Sequence, residues 1–222
     1  MSWGTYKANA LFPKGQKSRV WLIALPVVWL VMVVLGFTLL LKHDTKTTSD
    51  VGSALRVSPI EDALVERLGL SENLSHVVVA VHPRCPCTAN TLDELQLAMV
   101  HADAPAALTF LVYQPESAPE SWRGDYFARL RKRFDDATIL RDRAGELSKS
   151  LDLHSSGAMV VTLGPQVLFR GGITAGRSCR QDNLGALTLR EFLDRGAVAN
   201  SVETPVFGCE LDNQSKSSFK AN

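Results

Sequence analysis

The sequence predicts an α/β sandwich behind one membrane-spanning helix. Three features lead there: a long uncharged apolar run near the N-terminus, β-branched runs alternating with helical patterns, and two short strand-like runs around Gly164-Pro165 ahead of a final helix. Apolar residues make up 45% of the 222, enough for a packed core. The balance of 24 Lys+Arg against 23 Asp+Glu leaves a net charge of +1. That balance gives no sign of a nucleic-acid partner or of a strongly charged substrate.

The first element is the run over residues 20–41, "VWLIALPVVWLVMVVLGFTLLL", which contains no charged residue. At about 1.5 Å per residue it can cross a hydrocarbon core about 30 Å thick. Pro26 and Gly36 are both tolerated in membrane helices. Lys7, Lys14, Lys17 and Arg19 precede it with no acidic residue among them, whereas Lys42 and Lys46 are mixed with Asp44 and Asp50. The positive-inside rule then puts residues 1–19 in the cytoplasm and the rest of the chain across the bilayer, in the periplasm if the source is bacterial. A cleaved signal peptide is the rival reading, but its apolar region is typically about 7–15 residues long and ends at a small-x-small site. The longer run here, ending in "LLLKHDTK", favours an uncleaved signal-anchor.

Residues 42–57 are polar and small and read as a tether. In "SPIEDALVERLGL", Ser58 as N-cap, Pro59 at the first helical position and Glu61 three residues after the cap predict a short helix, closed near Gly69. "SHVVVAVH" reads as a strand buried on both faces. After Cys87, Leu92, Leu95, Leu97 and Met99 form an apolar stripe on a helix. "AALTFLVYQ" is a second buried strand, "PESAPESWRGDYFARLRKRF" a polar insertion ending in a basic helix, and "ATILRD" a short strand. "AGELSKSLDL" is another helix, and "SGAMVVTL" with "QVLFRGG" forms a hairpin around Gly164-Pro165. "DNLGALTLREFLDRG" is the last helix, with Gly196 at its end. The order β-α-β-α-β-α-β-β-α predicts first strands in parallel and an antiparallel last one, over residues 58–196. Residues 197–222 form a tail that is polar apart from "TPVFGCEL".

All four cysteines, Cys85, Cys87, Cys179 and Cys209, come after the apolar run, on the side of the membrane where disulfides persist. Cys85 and Cys87 flank Pro86 where the first strand gives way to a helix. A thiolate there faces unpaired backbone N–H groups and the positive end of the helix dipole, which lowers its pKa from about 8.5. Arg84 adds a charge beside it. Cys85 is expected outermost as the attacking thiol, with Cys87 deeper as the resolving one. Two structural alternatives are an inert Cys85/Cys87 disulfide and bridges from that pair to Cys179 and Cys209. Cys209 can also bend back as a third thiol, or pair with Cys179 as a staple. A metal reading uses His82, Cys85 and Cys87, an H-x-x-C-x-C pattern whose soft thiolates and imidazole suit Cu(I) or zinc, with His154 as a further ligand.

The element order, the cysteine corner and the run "ATILRDRAGELSKSLDL…MVVTLGPQVLFRGG" resemble the thioredoxin fold. The resemblance is to its membrane-anchored, extracytoplasmic branch with an insertion after the second strand, as in the thiol-disulfide oxidoreductases of cytochrome maturation. "HPRCPCT", "LFRGGIT" and "TPVFGCEL" resemble a bacterial group called RedB-like. The resemblance implies thiol-disulfide exchange at Cys85 and Cys87 with a protein partner and no cofactor. Copper-delivery proteins of oxidase assembly share the fold, which keeps the copper reading beside it. Two features depart from the family pattern. One residue separates the cysteines instead of two, and Gly157 or Ala158 stands where the family has a cis-proline shaping the substrate groove. The second departure fits a non-catalytic interaction domain as a third reading.

Overall fold

Seven consecutive residues, Ser75–Val81 (β1), are buried, and their side chains alternate between two separate apolar clusters. Val77, Val79 and Val81 face one cluster, Val78 and Ala80 the other. A strand can do this only with cover on both faces, which explains its unbroken β-branched sequence. In this computed structural model, which describes residues 14–44, 59–177, 183–195 and 201–211, β1 lies at the centre of a six-stranded sheet. On one side it pairs in parallel with β2 (Ala106–Gln114), and β2 in turn pairs in parallel with β3 (Thr138–Arg143). On the other it pairs antiparallel with β4 (Met159–Leu163), which turns through Gly164-Pro165 into β5 (Gln166–Gly171). A two-residue strand, β6 (Val202–Glu203), closes the order β3-β2-β1-β4-β5-β6. The strand that runs against its neighbours is therefore β4, not the last strand, because β5 turns back parallel to β1. Residues past 196, expected as a tail, supply β6 and the segment beyond it.

All of the helix α1 (Lys14–Asp44) but its last residue belongs to a separate compact unit, Met1–His43, and the rest of the chain forms the other. Within α1, Trp21–His43 has a mean hydropathy of 2.6 and none of it is buried. Its 23 residues are long and apolar enough to cross a membrane, as in an anchor or a signal sequence.

Helices cover both faces of the sheet. α3 (Thr88–Val100), α4 (Tyr126–Arg133) and α6 (Leu184–Arg195) place Leu92, Leu95, Leu130, Leu189 and Phe192 on one face. Leu97 of α3 points outward, off the apolar stripe. On the other face, α2 (Asp62–Leu68) and α5 (Glu146–Ser150) bring Leu64, Leu68 and Leu147, together with Trp122, Val206 and Leu211. This is the expected α/β sandwich, with helices on both faces of a mixed sheet, and the polar segment after β2 ends in α4.

Two helix ends show how the sequence sets boundaries. Gly69 closes α2 in the left-handed region, as expected of a C-cap glycine. The start of α2 departs from expectation: its N-cap is Glu61, and the predicted cap Ser58 lies outside the described residues. The Ile60 N–H donates instead to the Pro165 carbonyl at 2.8 Å, tying this segment to the β4–β5 turn before the helix can begin. At α5, the carboxylate of buried Asp142 accepts from the Leu147 and Ser148 N–H groups and from the Ser148 hydroxyl, holding β3 to the helix.

Candidate functional site

The chain after β1 turns through Cys85 and Pro86 to Cys87, which is the N-cap of α3. A second segment reaches this corner from far along the sequence. Residues 204–211, here called the strap, run beside the loop that leads into β4. The Ser156 N–H donates to the Cys209 carbonyl at 2.9 Å, the Leu211 N–H donates to the His154 carbonyl at 2.9 Å, and Glu210 pairs antiparallel with Ser155. Gly208 lies so close to Ser156 that a Cβ there would collide with the Ser156 carbonyl. Only glycine allows this approach.

The strap delivers Cys209 to the corner. Its Sγ lies 2.8 Å from Cys85 Sγ, and the sulfurs of Cys85, Cys87 and Cys209 all lie within 4.8 Å of one another. None of the three is in a disulfide. Cys179 lies outside the described residues. The expected depth order is reversed: Cys85 is only 7% exposed, whereas Cys87 is half-buried. Cys209, with its sulfur 2.8 Å away, is among the groups that cover Cys85.

Burial pushes the Cys85 thiol up, but hydrogen bonds outweigh it and hold the group below its ordinary value. The donors to Cys85 are the Cys209 thiol, the Thr88 hydroxyl and the backbone N–H groups of Cys209 and Cys87. Thr88 has one hydroxyl proton, and its Oγ1 also lies 2.6 Å from Ser156 Oγ. If Thr88 donates to Cys85, Ser156 must donate to Thr88. The Ser156 oxygen in turn accepts from the His82 N–H at 2.8 Å. A chain of donors thus runs from the end of β1 to the thiolate. The other two thiols move the opposite way. Burial and the neighbouring Cys85 charge raise Cys87, with the Arg177 guanidinium opposing. Burial, the hydrogen bond to Cys85 and the Cys85 charge push Cys209 up to about 12. Of the three thiols only Cys85 is held below its ordinary value, while Cys209 beside it is pushed up.

The histidines stand apart from this cluster. His82 is fully buried, stacked on the Tyr113 ring at 5.3 Å and edge-on to Trp122 at 5.3 Å. Its Nδ1 accepts from the Arg84 N–H at 3.1 Å. Burial, helped by the Arg84 charge, lowers its pKa to about 4. His154 is exposed and pairs with Asp152 at 2.7 Å. The donor group that the fold gathers is three cysteines, not the H-x-x-C-x-C set. The Arg84 side chain also differs from expectation, since it lies over the Trp122 ring at 4.8 Å and donates to the Trp122 carbonyl at 3.3 Å. The cation that acts on Cys87 and Cys209 is Arg177, which nothing in the sequence singles out. Thr88 and Ser156 likewise escape a reading of the sequence. Adjacency to Cys87 is a local signal for Thr88, but only the tertiary fold brings Ser156 and Arg177 in. Gly157, one of the two residues expected in place of a cis-proline, adopts φ +90° against Thr91, and no cis peptide occurs among the described residues.

No protein-family model matches the chain, and no curated protein does. Among solved structures it is similar to a hypothetical protein from Sinorhizobium meliloti, at 14% identity and a TM-score of 0.50, over 64% of this chain and 80% of that one. At that identity the likeness is one of fold. An uncharacterized conserved protein from Geobacillus kaustophilus matches at 15% identity and a TM-score of 0.47, over 62% and 76%. A secreted Mycobacterium tuberculosis disulfide oxidoreductase, described as homologous to E. coli DsbE, matches at 17% identity and a TM-score of 0.36, over 48% and 82%.

Proposed function

We propose that this chain is a membrane-anchored, RedB-like thiol-disulfide exchange protein that works through Cys85. The observation that carries the reading is a thiol held below its ordinary pKa by four donors, with two further thiols in reach. The Cys85 thiolate attacks a protein disulfide, its sulfur bonds to one partner sulfur, and the other leaves as a thiolate. A second cysteine of the cluster then displaces the partner. The apolar helix, with basic residues before it and mixed charges after, supports an uncleaved anchor with the N-terminus cytoplasmic and the domain outside.

The test uses full-length protein in membranes. Reduced protein treated with glutathione disulfide should form adducts or an internal disulfide, and Cys85→Ser should lose this reaction. A Cys85→Ser variant that reacts like the wild type would sink the reading. Retention in the membrane pellet after alkaline extraction checks the anchor, and release of a shortened chain would replace it with a cleaved signal.

One observation supports a second reading. Three mutually adjacent cysteine sulfurs form a soft donor set that suits Cu(I) better than the His-containing set expected from the sequence. Cys85, Cys87 and Cys209 would hold the ion. Titration of the reduced protein with Cu(I) against a competing chelator decides it, and failure to compete at sub-micromolar free copper removes it.

A further inference from the structure

We infer that Cys209, rather than Cys87, resolves the mixed disulfide on Cys85, so that the working redox couple joins two cysteines 124 positions apart in the chain. The inference rests on the exchange chemistry proposed above and names the residue that completes it.

Geometry separates the two candidates. Cys85 and Cys87 are two positions apart in a turn that runs into α3, with the Thr88 N–H donating to the Cys85 carbonyl and the Asn90 N–H to the Cys87 carbonyl. The Cys87 thiol also lies within hydrogen-bonding reach of Cys85, but a bond between them would close a ring across a single residue, in a backbone already set as the entry to α3. Pro86 between them fixes its own φ, so the turn cannot easily rearrange to bring the sulfurs together. Cys87 is also committed as N-cap, with helical backbone angles of −66° and −25°. Cys209 comes from the opposite side and its sulfur is already 2.8 Å from Cys85 Sγ.

The strap is a built position, not a chance approach. The two backbone hydrogen bonds that make the Ser155/Glu210 bridge flank Cys209, Gly208 fits against Ser156 where no larger residue can, and Val206 and Leu211 are buried in the core on that face. Every one of these contacts fixes the depth at which Cys209 meets Cys85.

Atoms and electrons balance across two displacements. The Cys85 thiolate attacks a partner disulfide, forming the Cys85–partner bond and expelling one partner thiolate. Cys209 gives up its thiol proton to that leaving thiolate and attacks Cys85 Sγ. The Cys85–Cys209 bond forms, and the second partner sulfur leaves as a thiolate. The partner disulfide gains two electrons, and the Cys85/Cys209 dithiol loses them. A partner dithiol drives the same steps in reverse.

The experiment treats the reduced full-length protein in detergent with glutathione disulfide, quenches with acid, and maps the modified cysteines by mass spectrometry. Cys209→Ser keeps a hydroxyl facing Cys85 and should accumulate a glutathione adduct on Cys85 at least about tenfold above wild type. Cys87→Ser should release glutathione as the wild type does and end with a Cys85–Cys209 cross-link. Gly208→Val keeps every cysteine but pushes the strap, and Cys209 with it, away from the corner, and it should also accumulate the adduct. The inference is overturned if Cys87→Ser accumulates the adduct while Cys209→Ser resolves it, or if the wild type carries a Cys179–Cys209 bridge throughout. If Cys85→Ser yields the same adducts as wild type, the fault lies with the exchange reading itself.

Discussion

Cys85 and Cys87 ride on a corner that the core grips from both faces of the sheet, whereas Cys209 rides on a strap held by a few backbone hydrogen bonds and two apolar side chains. β1 ahead of the corner is buried along its whole length, and Leu92 and Leu95 anchor α3 on its far side. The strap adds Val206 and Leu211 to the other face and depends on Gly208 for its fit. The difference is that one half of the cluster is set by the central strand and its helix, and the other by a segment from the end of the domain that docks against them. The thiol chemistry needs both.

The largest effect that tests this contrast belongs to the corner. Leu95 is fully buried, so Leu95→Ala should cost about 2–5 kcal/mol. Chemical unfolding should show the loss, and alkylation should expose the cluster only as the whole domain opens. Leu211→Ala, at the strap, should instead expose Cys209 to alkylation under conditions where the domain stays folded. If both variants expose Cys209 only on global unfolding, the contrast fails.

His82 gives the next effect. Its folded pKa of about 4 lies below the ordinary 6.5, so the folded state resists protonation more than the unfolded chain does. Stability is therefore complete above pH 6.5 and is lost as pH falls toward 4, by about 3 kcal/mol. His82→Phe, which keeps a ring between Tyr113 and Trp122, should flatten that slope in unfolding curves taken between pH 7 and pH 4. A slope unchanged by the substitution would place the acid sensitivity elsewhere.

Ser156 touches both regions, since its N–H holds the strap and its hydroxyl links the His82 N–H to Thr88. Ser156→Ala leaves a buried donor without a partner, at a cost of about 1–3 kcal/mol. It should also raise the pH at which Cys85 becomes reactive. The smallest change is Thr88→Val, which removes a single donor to the thiolate. The alkylation profile of Cys85 should move to higher pH, with an unfolding cost no larger than that of Ser156→Ala because the buried Ser156 hydroxyl loses its acceptor, and an unmoved profile would take Thr88 out of the network.

The corner is legible in the sequence because its determinants are local. A run of valines marks a doubly covered strand, Leu92 and Leu95 come after it at helical spacing, and two cysteines lie between. The hairpin announces itself through Gly164-Pro165 in the same way. The start of α2 misleads because one long-range hydrogen bond, from Ile60 to Pro165, overrides a local capping pattern. The strap is only partly legible. "TPVFGCEL" stands out from a polar tail, but its place depends on backbone pairing with residues 154–156 and on the space left by a missing side chain, and neither leaves a pattern along the chain. Arg84 misleads for a related reason: adjacency to Cys85 says nothing of a side chain that Trp122 draws away.

The packing around Trp122 has one more consequence. Downstream of α1 the chain carries a single indole, since the other three tryptophans are Trp3, Trp21 and Trp29. That ring lies edge-on to His82 and beneath the Arg84 cation, three residues and one residue from Cys85 along the backbone. The domain therefore contains its own optical probe, whose emission will register protonation of the imidazole and any shift of the corner as the thiols gain or lose electrons.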